Sequence, residues 1–389
     1  MRDGEMMKAL ELFSGAGGLA LGVKNGGFEC EGLLERDKNA CGTLRANFSS
    51  RVFEVDIAEF DYAALQGQVD IIAGGPPCQP FSIGGKARGQ ADARDMFPEA
   101  VRAIRALRPR AFIFENVKGL MRPSFASYFE YITLCLTYPS LPKKAGEAWA
   151  DHLIRLERVK SAGRPVDLEY SVLFQCLNAA DYGVPQKRER VFFVGFRKGL
   201  NVEWAFPKQT HSRKSLDYAK FVTGAYWDET GATPSPQEQE VIADGTCRRR
   251  LTNDFGMLPP DEHPWKTIRQ ALKGLPEPWA DGDADISGHQ LRQGARPYPG
   301  HTGSPLDEPG KALKAGDHGV PGGENMIRFH DGRVRYLTIR EAARVQTFPD
   351  GFEFAGVWTE AMRQLGNAVP VRLAEAVARS AGEALVRTA

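Results

Sequence analysis

Three features that would narrow the function are missing from this sequence. Its six cysteines and seven histidines form no Cys-x-x-Cys pair and no cluster at zinc-ligand spacing, which argues against a disulfide framework and against a bound metal. No segment approaches about 18 consecutive apolar residues and no signal-peptide core precedes the first strand, so neither membrane spanning nor secretion is predicted. The 50 basic and 49 acidic residues balance, so nucleic-acid binding would require local patches. We expect a cytoplasmic protein in a reducing compartment.

What the chain does contain is an alternation of short apolar and longer amphipathic segments up to about residue 196. This pattern is typical of βαβ units and predicts an α/β fold with a doubly wound, Rossmann-like sheet. We expect strands at residues 9–13, 30–34, 69–73, 111–114, 171–177 and 190–196. We expect helices at residues 18–24, 38–48 and 95–107, and again at 338–345 and 359–386, where the last one can pack back on the first domain.

The composition changes after residue 197, where prolines and glycines become frequent and strands are difficult to place. The sequence therefore predicts one domain from residues 1–197 with 356–389 and a second, smaller, irregular domain from 198–355. Residues 137–167, with a helix expected at 149–159, lie between two predicted strands and are interpreted as an insertion.

The first glycine-rich loop, Phe13 to Gly18, follows a predicted strand and opens a predicted helix. Glycines let a ligand approach the backbone, and Glu35 ends the next strand, where a carboxylate can hold ribose hydroxyls. Asp56 ends a further short strand and can accept a hydrogen bond from an adenine amino group. This order indicates an adenosine-type cofactor but also satisfies the dinucleotide fingerprint, and tight strand–helix packing is a third explanation of the glycines.

A second loop, GGPPCQPFS from Gly74 to Ser82, places Cys78 among prolines at the end of a predicted strand. The carboxyl ends of strands are where α/β sheets carry their chemistry, and Glu115 ends another apolar run. An isolated cysteine is commonly a small buried hydrophobe, and an acid at a strand end can be a cap. Together, however, Cys78 and Glu115 suggest a nucleophile paired with a proton donor.

A basic cluster, Lys187 to Arg190, precedes the apolar strand VFFVGF. Alternation along an extended chain would point Arg188 and Arg190 to the same side, which suits an anionic or carbonyl-bearing substrate. A solvated charged turn is the alternative.

Eight segments, taken in order, resemble the DNA cytosine-5 methyltransferases, which use S-adenosyl-L-methionine. They read ELFSGAGGLALG, LLERD, VDI, GGPPCQPFS, FENV, QKRERVFFVG, RYLTIREAARVQTFPD and QLGNAVPVRLAEAVA, and they leave mainly residues 137–167 and 198–335 outside. The resemblance implies methyl transfer to carbon 5 of cytosine in a specific double-stranded DNA sequence, by a bacterial or phage modification enzyme. It also implies a covalent cysteine adduct and a target base extruded from the duplex.

The resemblance assigns roles by position. It implies that the cofactor is bound by Phe13, Gly15, Gly17, Glu35, Asp56, Ile57 and Asn367. It implies Cys78 as the nucleophile, Glu115 as the acid on the cytosine, and Arg188 with Arg190 around the base. Arg36 departs from the aromatic or aliphatic residue that relatives often have there.

The resemblance implies that residues 1–197 with 356–389 form the cofactor-binding and catalytic domain. It implies that the irregular domain, residues 198–355, is the target-recognition domain and reads the DNA sequence. The candidate DNA contacts are Arg248, Lys314, His318 and Asn325, and Ser82 begins a glycine-rich segment that could close behind an extruded base. Solvated loops are the alternative for each. The expected partners are double-stranded DNA and a cognate restriction endonuclease that acts separately, and the protein is expected to be a monomer.

Three other functions remain open at this point. A tRNA cytosine-5 methyltransferase would share the motifs. An NAD-dependent oxidoreductase would explain the first glycine loop but leave Cys78, Glu115 and Arg190 without a joint purpose. A non-enzymatic DNA-binding protein could retain the fold, although no proposed catalytic position is visibly replaced.

Overall fold

The structure is a computed structural model that describes residues 6–77, 95–255, 260–279, 286–315 and 323–388. Three of the predicted site residues, Cys78, Ser82 and His318, lie outside the described residues. The chain forms two compact units. The first contains Met1–Leu177, Glu189–Pro207 and Ala374–Ala389, and the second contains Asn178–Arg188 and Lys208–Leu373. Among the described residues, no helix has the length and apolarity needed to cross a membrane.

The first unit is built on a seven-stranded sheet. Its strands are β1 (Lys8–Leu12), β2 (Glu29–Glu35), β3 (Arg51–Glu54), β4 (Ile71–Gly74), β5 (Ala111–Val117), β6 (Tyr170–Asn178) and β8 (Glu189–Arg197). They lie in the order β3-β2-β1-β4-β5-β8-β6, with β1 to β5 parallel and β8 antiparallel to β5. All six predicted strands are present, and the α/β, doubly wound fold class is confirmed.

The central strands are apolar on both faces, because a parallel sheet is covered by helices on both sides. All four residues of β4 are buried, and so are the first six of β5. One face contributes Leu10, Ile72 and Phe112 to the main core cluster. Glycine is required at the end of β4, since a Cβ atom at Gly74 would lie 2.7 Å from the carbonyl oxygen of Leu12.

The helices of this unit are α1 (Gly18–Asn25), α2 (Lys38–Asn47), α3 (Phe97–Leu107), α4 (Ala126–Thr137) and α5 (Trp149–Ala162), together with most of α13 (Val371–Arg387). The C-terminal helix packs on this unit as expected: Arg110 Nη2 donates to Leu385 O at 3.0 Å. The single helical stretch predicted at 359–386 is wrong in one respect. It divides into α12 (Trp358–Asn367) and α13, because Pro370 has no N–H to donate and disfavours a helical residue before it.

The predicted insertion is folded and packs on α4. His152, on α5, is buried, and its Nδ1 accepts from the Tyr131 hydroxyl at 3.0 Å while its Nε2 donates to Leu141 O at 2.8 Å. Burial lowers the pKa of His152, which fits a neutral ring with Nε2 as donor and Nδ1 as acceptor.

The second unit contains more helix than the sequence predicted. Between residues 198 and 336, where we placed no helix, the structure has α6 (Arg213–Phe221), α7 (Ala225–Thr230), α8 (Pro236–Asp244), α9 (Thr246–Phe255) and α10 (Ile268–Leu272). The predicted helix at 338–345 is present as α11 (Ile339–Val345). The strands are short: β7 (Gln186–Lys187), β9 (His211–Ser212), β10 (His263–Pro264), β11 (Ser304–Pro305), β12 (Gly310–Lys311), β13 (Met326–Arg328) and β14 (Val334–Tyr336). The functional division into a cofactor domain and a target-recognition domain stays a prediction.

Candidate active site

An ion pair lies where β5 and β8 meet. Arg190 Nε is 2.6 Å from Glu115 Oε1, and the two side chains are only 14% and 9% exposed. The antiparallel register, with Val117 opposite Arg190, brings them to the same end of the sheet. Burial lowers the pKa of Arg190, and the negative charge of Glu115 opposes that shift. The structure therefore brings together two of the predicted catalytic residues.

The same strand end holds the chain that leads to Cys78. A Cβ atom at Gly75 would lie 3.3 Å from Glu115 Oε2, so the carboxylate rests against this glycine. Asn116 Nδ2 donates to Pro76 O at 3.0 Å, and Asn116 Oδ1 accepts from Val117 N at 2.9 Å. Asn116 thus anchors Pro76, two residues before the nucleophile candidate, and Glu115 lies against Gly75.

The sequence patterns predicted no functional role for Asn116. The available signal was its place directly after Glu115 in FENV, at the end of an apolar strand. A further contact, Met96 N to Pro77 O at 3.3 Å, joins the two chain segments on either side of residues 78–94.

The first glycine loop has an unusual backbone. Phe13, Gly15 and Gly17 have φ values of +56°, +52° and +82°. A positive φ is unfavourable for a residue with a side chain, and such strain is often found at functional sites. Gly15 N donates to Glu35 Oε2 at 2.8 Å, while Glu35 Oε1 accepts from the N–H groups of Arg36 and Asp37. The loop is therefore tied to the acid predicted to hold ribose.

The two glycines serve different purposes. A Cβ atom at Gly17 would lie 2.6 Å from the Phe48 ring, so Gly17 is needed for tight packing. A Cβ atom at Gly15 would meet no described atom within 4 Å, so the loop is open at that point. An open glycine beside a backbone-anchored carboxylate fits the ribose end of an adenosine cofactor.

The predicted adenine contacts form the next part of this edge. Asp56 Oδ1 accepts from Ala58 N at 3.0 Å and caps a short 3₁₀ turn that contains the buried Ile57. Arg36 Nη1 lies 3.5 Å from Asp56 Oδ2, with both side chains exposed. The residue that departs from the family pattern is therefore the neighbour of the predicted adenine acceptor.

A buried acid on β1 was missed by the sequence analysis. Glu11 is 3% exposed, and its Oε2 has no hydrogen-bond partner among the described residues. Burial, and secondarily the charge of Glu35, raise the pKa of Glu11 well above its ordinary value. The protonated form of Glu11 is therefore favoured more in the folded protein than in the unfolded chain.

The structure places Arg188 differently from the expectation. It is 1% exposed, and it donates from Nη1 to Leu313 O at 2.9 Å and from Nη2 to Gly366 O at 2.6 Å. Strand β7 ends at Lys187 and β8 begins at Glu189, so the alternation assumed from the sequence is interrupted at Arg188. Arg188 belongs to the second unit, whereas Arg190 belongs to the first.

The remaining candidates lie in the second unit. Asn367 is the last residue of α12, with an exposed side chain, and Arg248 is exposed on α9. Lys314 Nζ pairs with Glu324 Oε1 at 2.8 Å. Asn325 is buried, and its carboxamide binds the N–H and the carbonyl of Lys314, both at 3.1 Å. In this conformation Asn325 shapes the chain instead of facing a base.

One group of potential metal ligands occurs in the described residues, formed by Glu238, Asp307 and His330. Arg269 already contacts both oxygens of Asp307, at 2.6 and 2.9 Å. Lys220 Nζ lies 2.9 Å from Glu238 Oε1. These cations neutralise the acids, so the group is an internal salt-bridge network.

Comparison with known proteins identifies the family. A sequence model of the C-5 cytosine-specific DNA methylases matches residues 7–137 and 162–383. The chain belongs to this family. It is a DNA cytosine-5 methyltransferase with S-adenosylmethionine as its methyl donor. The match omits residues 138–161 of the methyltransferase, which lie within the predicted insertion.

The curated relatives described here are type II methyltransferases. The methyltransferase is 34% identical over 388 residues to the type II methyltransferase M.PspPI of Psychrobacter sp. (strain TA137), covering 97% of this chain and 78% of that protein. It is 33% identical over 391 residues to the type II methyltransferase M.FnuDI of Fusobacterium nucleatum, covering 97% and 95%.

Solved structures with lower identity show the same fold. A putative DNA modification methyltransferase encoded within an E. coli prophage has a TM-score of 0.60 and 22% identity, with 98% of this chain and 99% of that chain covered. The S. pombe Dnmt2 methyltransferase has a TM-score of 0.56 and 17% identity, with the same coverage.

Proposed function

We propose that this methyltransferase modifies a cytosine within a specific double-stranded DNA sequence, with Cys78, Glu115 and Arg190 acting on the base. The observation that supports these roles best is the buried Glu115–Arg190 pair, 2.6 Å long, with the carboxylate resting against Gly75. This arrangement supplies a carboxyl group and a guanidinium beside the chain that leads into the cysteine.

Carbon 5 of cytosine is a poor nucleophile, so the ring has to be activated. The Cys78 thiolate adds to carbon 6 and turns the ring into an enamine that is nucleophilic at carbon 5. Glu115, in its protonated form, donates to ring nitrogen 3, while Arg190 stabilises negative charge on the exocyclic oxygen. Carbon 5 would then accept the methyl group that S-adenosylmethionine supplies, with S-adenosylhomocysteine as the leaving group. Loss of the carbon-5 proton to water or another base would then expel the Cys78 sulfur.

S-adenosylmethionine supplies the activated methyl group. In our proposal Phe13, Gly15 and Gly17 line its binding loop, Glu35 holds the ribose hydroxyls, and Asp56 and Ile57 contact the adenine. Asn367 contacts the methionine end. The open side of Gly15 and the backbone anchoring of Glu35 support the ribose part of this assignment.

The chemistry requires the target base outside the helix, because a thiol cannot reach carbon 6 within a stacked pair. We assign sequence readout to residues 198–355, and backbone contacts to the exposed Arg248 and to Lys314. Ser82 and His318 stay candidates from the sequence alone. Asn325 and Arg188 bind backbone groups of neighbouring segments, which favours a structural role for both side chains.

The biological setting is inferred from the names of the relatives. Because these are type II methyltransferases, we propose a bacterial or phage modification enzyme that acts in the cytoplasm as a monomer. A cognate restriction endonuclease would act separately.

Two experiments test the proposal. Bisulfite sequencing of DNA from cells that express the protein should show one short methylated motif, and methylation of tRNA instead of duplex DNA would contradict it. Cys78→Ala should abolish both methylation and covalent trapping on 5-fluorocytosine DNA while cofactor binding persists. An active Cys78→Ala variant would refute the covalent mechanism.

A further inference from the structure

Arg188, which the sequence pattern placed at the substrate base, instead binds two backbone carbonyls. We infer that Arg188 is a positioning residue which, together with Gln346, sets the backbone of residues 365–368 and so presents Asn367 to the cofactor. This inference rests on the proposed role of Asn367 at the methionine end.

The first support is the way the Arg188 guanidinium bridges two chain segments. Its two terminal nitrogens donate to Leu313 O and Gly366 O, at 2.9 and 2.6 Å. These segments touch directly, since a Cβ atom at Gly366 would lie 2.2 Å from Ala315 N and 2.4 Å from Lys314 C. Only glycine permits this close approach. Arg188 binds one carbonyl in each of the two segments, Leu313 O in one and Gly366 O in the other.

The second support is Gln346, which binds the same turn from another element. It is fully buried, follows α11, and donates from Nε2 to Leu365 O at 2.6 Å and Ala368 O at 3.5 Å. The carbonyls of residues 365, 366 and 368 are therefore all held by Arg188 or Gln346.

The side chain of Asn367 itself remains exposed, while its neighbours 365, 366 and 368 are buried. A buried backbone with an exposed amide between its anchors is suited to presenting that amide to a ligand. If these anchors served stability alone, their loss would lower the melting temperature without a selective effect on cofactor binding.

The chain junction beyond Gln346 adds to this anchoring. Thr347 has a φ of +62°, an unfavourable value for a β-branched residue, and its Oγ1 accepts from Arg372 N at 3.0 Å. Val371 N donates to Gln346 O at 3.1 Å. The start of α13 is thereby fixed to Thr347 and to Gln346, and Gln346 also holds the Asn367 turn.

Geometry distinguishes arginine from lysine at this position. The planar guanidinium can donate to two carbonyls at once, whereas a lysine ammonium on a flexible stem cannot reproduce the fork. Arg188→Lys should keep a positive charge but release one of the two segments.

The test compares Arg188→Lys, Gln346→Met and Asn367→Ala. For each variant, calorimetry measures the Kd of S-adenosylhomocysteine, and steady-state assays with duplex DNA separate kcat from the cofactor KM. We expect Arg188→Lys and Gln346→Met to raise the cofactor Kd and KM about tenfold, with kcat at saturating cofactor within about threefold of wild type. The double variant Arg188→Lys/Asn367→Ala should bind no more weakly than Asn367→Ala alone, because both act through one group.

The control is Arg335→Lys in the same unit. Arg335 is largely buried and binds both oxygens of Glu341, at 2.6 and 2.7 Å, so its contacts are to a different residue from those that hold the Asn367 turn. This variant should have a lower melting temperature than wild type, with an unchanged cofactor Kd.

Each other outcome has a definite meaning. A lower kcat or slower adduct formation in Arg188→Lys with an unchanged cofactor Kd would return Arg188 to the base and overturn the inference. Additive losses in the double variant would also overturn it. An unchanged Kd in Asn367→Ala would refute the proposed role of Asn367 itself. If Arg188→Lys does not fold, the cofactor Kd, cofactor KM and kcat of Gln346→Met test the same inference.

Discussion

Glu115 and Arg190 form a 2.6 Å ion pair between antiparallel strands, and the carboxylate of Glu115 also lies against Gly75, three residues before Cys78. A paired carboxylate is favoured in its ionised form, whereas the proposed donation to ring nitrogen 3 requires a proton. In this proposal, binding of the cytosine must either separate Glu115 from Arg190 or be accompanied by protonation of the Glu115 carboxylate. In the proposed mechanism, the charge state of this pair must therefore change during the reaction.

Glu115→Gln should slow covalent addition by about 10²- to 10⁴-fold, because an amide cannot transfer a proton to the ring. Cofactor affinity should be unchanged. The measurement is the single-turnover rate of adduct formation on 5-fluorocytosine duplex DNA.

The matched control is Glu189→Gln on β8. Glu189 pairs with Lys118 at 2.7 Å, but both side chains are about half exposed, and such pairs contribute little. Normal turnover is expected for this variant. Normal turnover for Glu115→Gln would remove its role as the acid.

Asn116→Asp separates the two hydrogen bonds that Asn116 makes. The carboxylate can still accept from Val117 N but cannot donate to Pro76 O, so the chain before Cys78 loses its anchor. An unmade buried bond costs about 1–3 kcal/mol, and we expect adduct formation to slow by about tenfold or more. Stopped-flow trapping measures this rate. An adduct rate equal to wild type would show that the anchor does not position the nucleophile.

Arg36 offers a test of the adenine end. A guanidinium can stack on an aromatic ring, as the aromatic residue that relatives often have there would do. Arg36→Ala should weaken S-adenosylhomocysteine binding by about fivefold, and Arg36→Trp should restore it. The exposed Arg36–Asp56 pair predicts little change in melting temperature for either variant. Equal affinity of the Ala and Trp variants would exclude stacking.

The sheet of the first unit could be predicted from the sequence because its central strands are apolar on both faces. Several of its strands also end at glycines or acids that mark the turn into the next element. In the second unit, local helix-start signals are present in the sequence at positions where no helix was predicted. Ser235 and Glu238 form a capping box at the start of α8, and Thr267 and Gln270 form another at α10. Both signatures are readable in the sequence and would have predicted these helices.

Other features depend on residues far apart in the chain. Arg188 appeared to continue a strand, yet its guanidinium reaches carbonyls 125 and 178 residues away. Asn325 appeared free to contact DNA, yet its carboxamide is bound by a backbone segment folded against it. No local pattern reports such contacts, because they arise only when the chain closes on itself.

Glu11 allows a pH test that involves no substrate. Its pKa is raised by burial and by Glu35, so the folded protein keeps a proton that the unfolded chain loses above about pH 4.3. The stability associated with Glu11 is therefore greatest below that pH and falls as pH rises toward the folded-state pKa. Glu11→Gln removes this dependence. Relative to wild type, its free energy of unfolding should rise with pH above about pH 4.3, by up to about 1.4 kcal/mol for each pH unit up to the folded-state pKa. Thermal unfolding at several pH values measures the gain, and Glu31→Gln, at a partly exposed pair with Lys8, is the control. A difference from wild type that stays constant with pH would show that Glu11 is ionised in the folded protein.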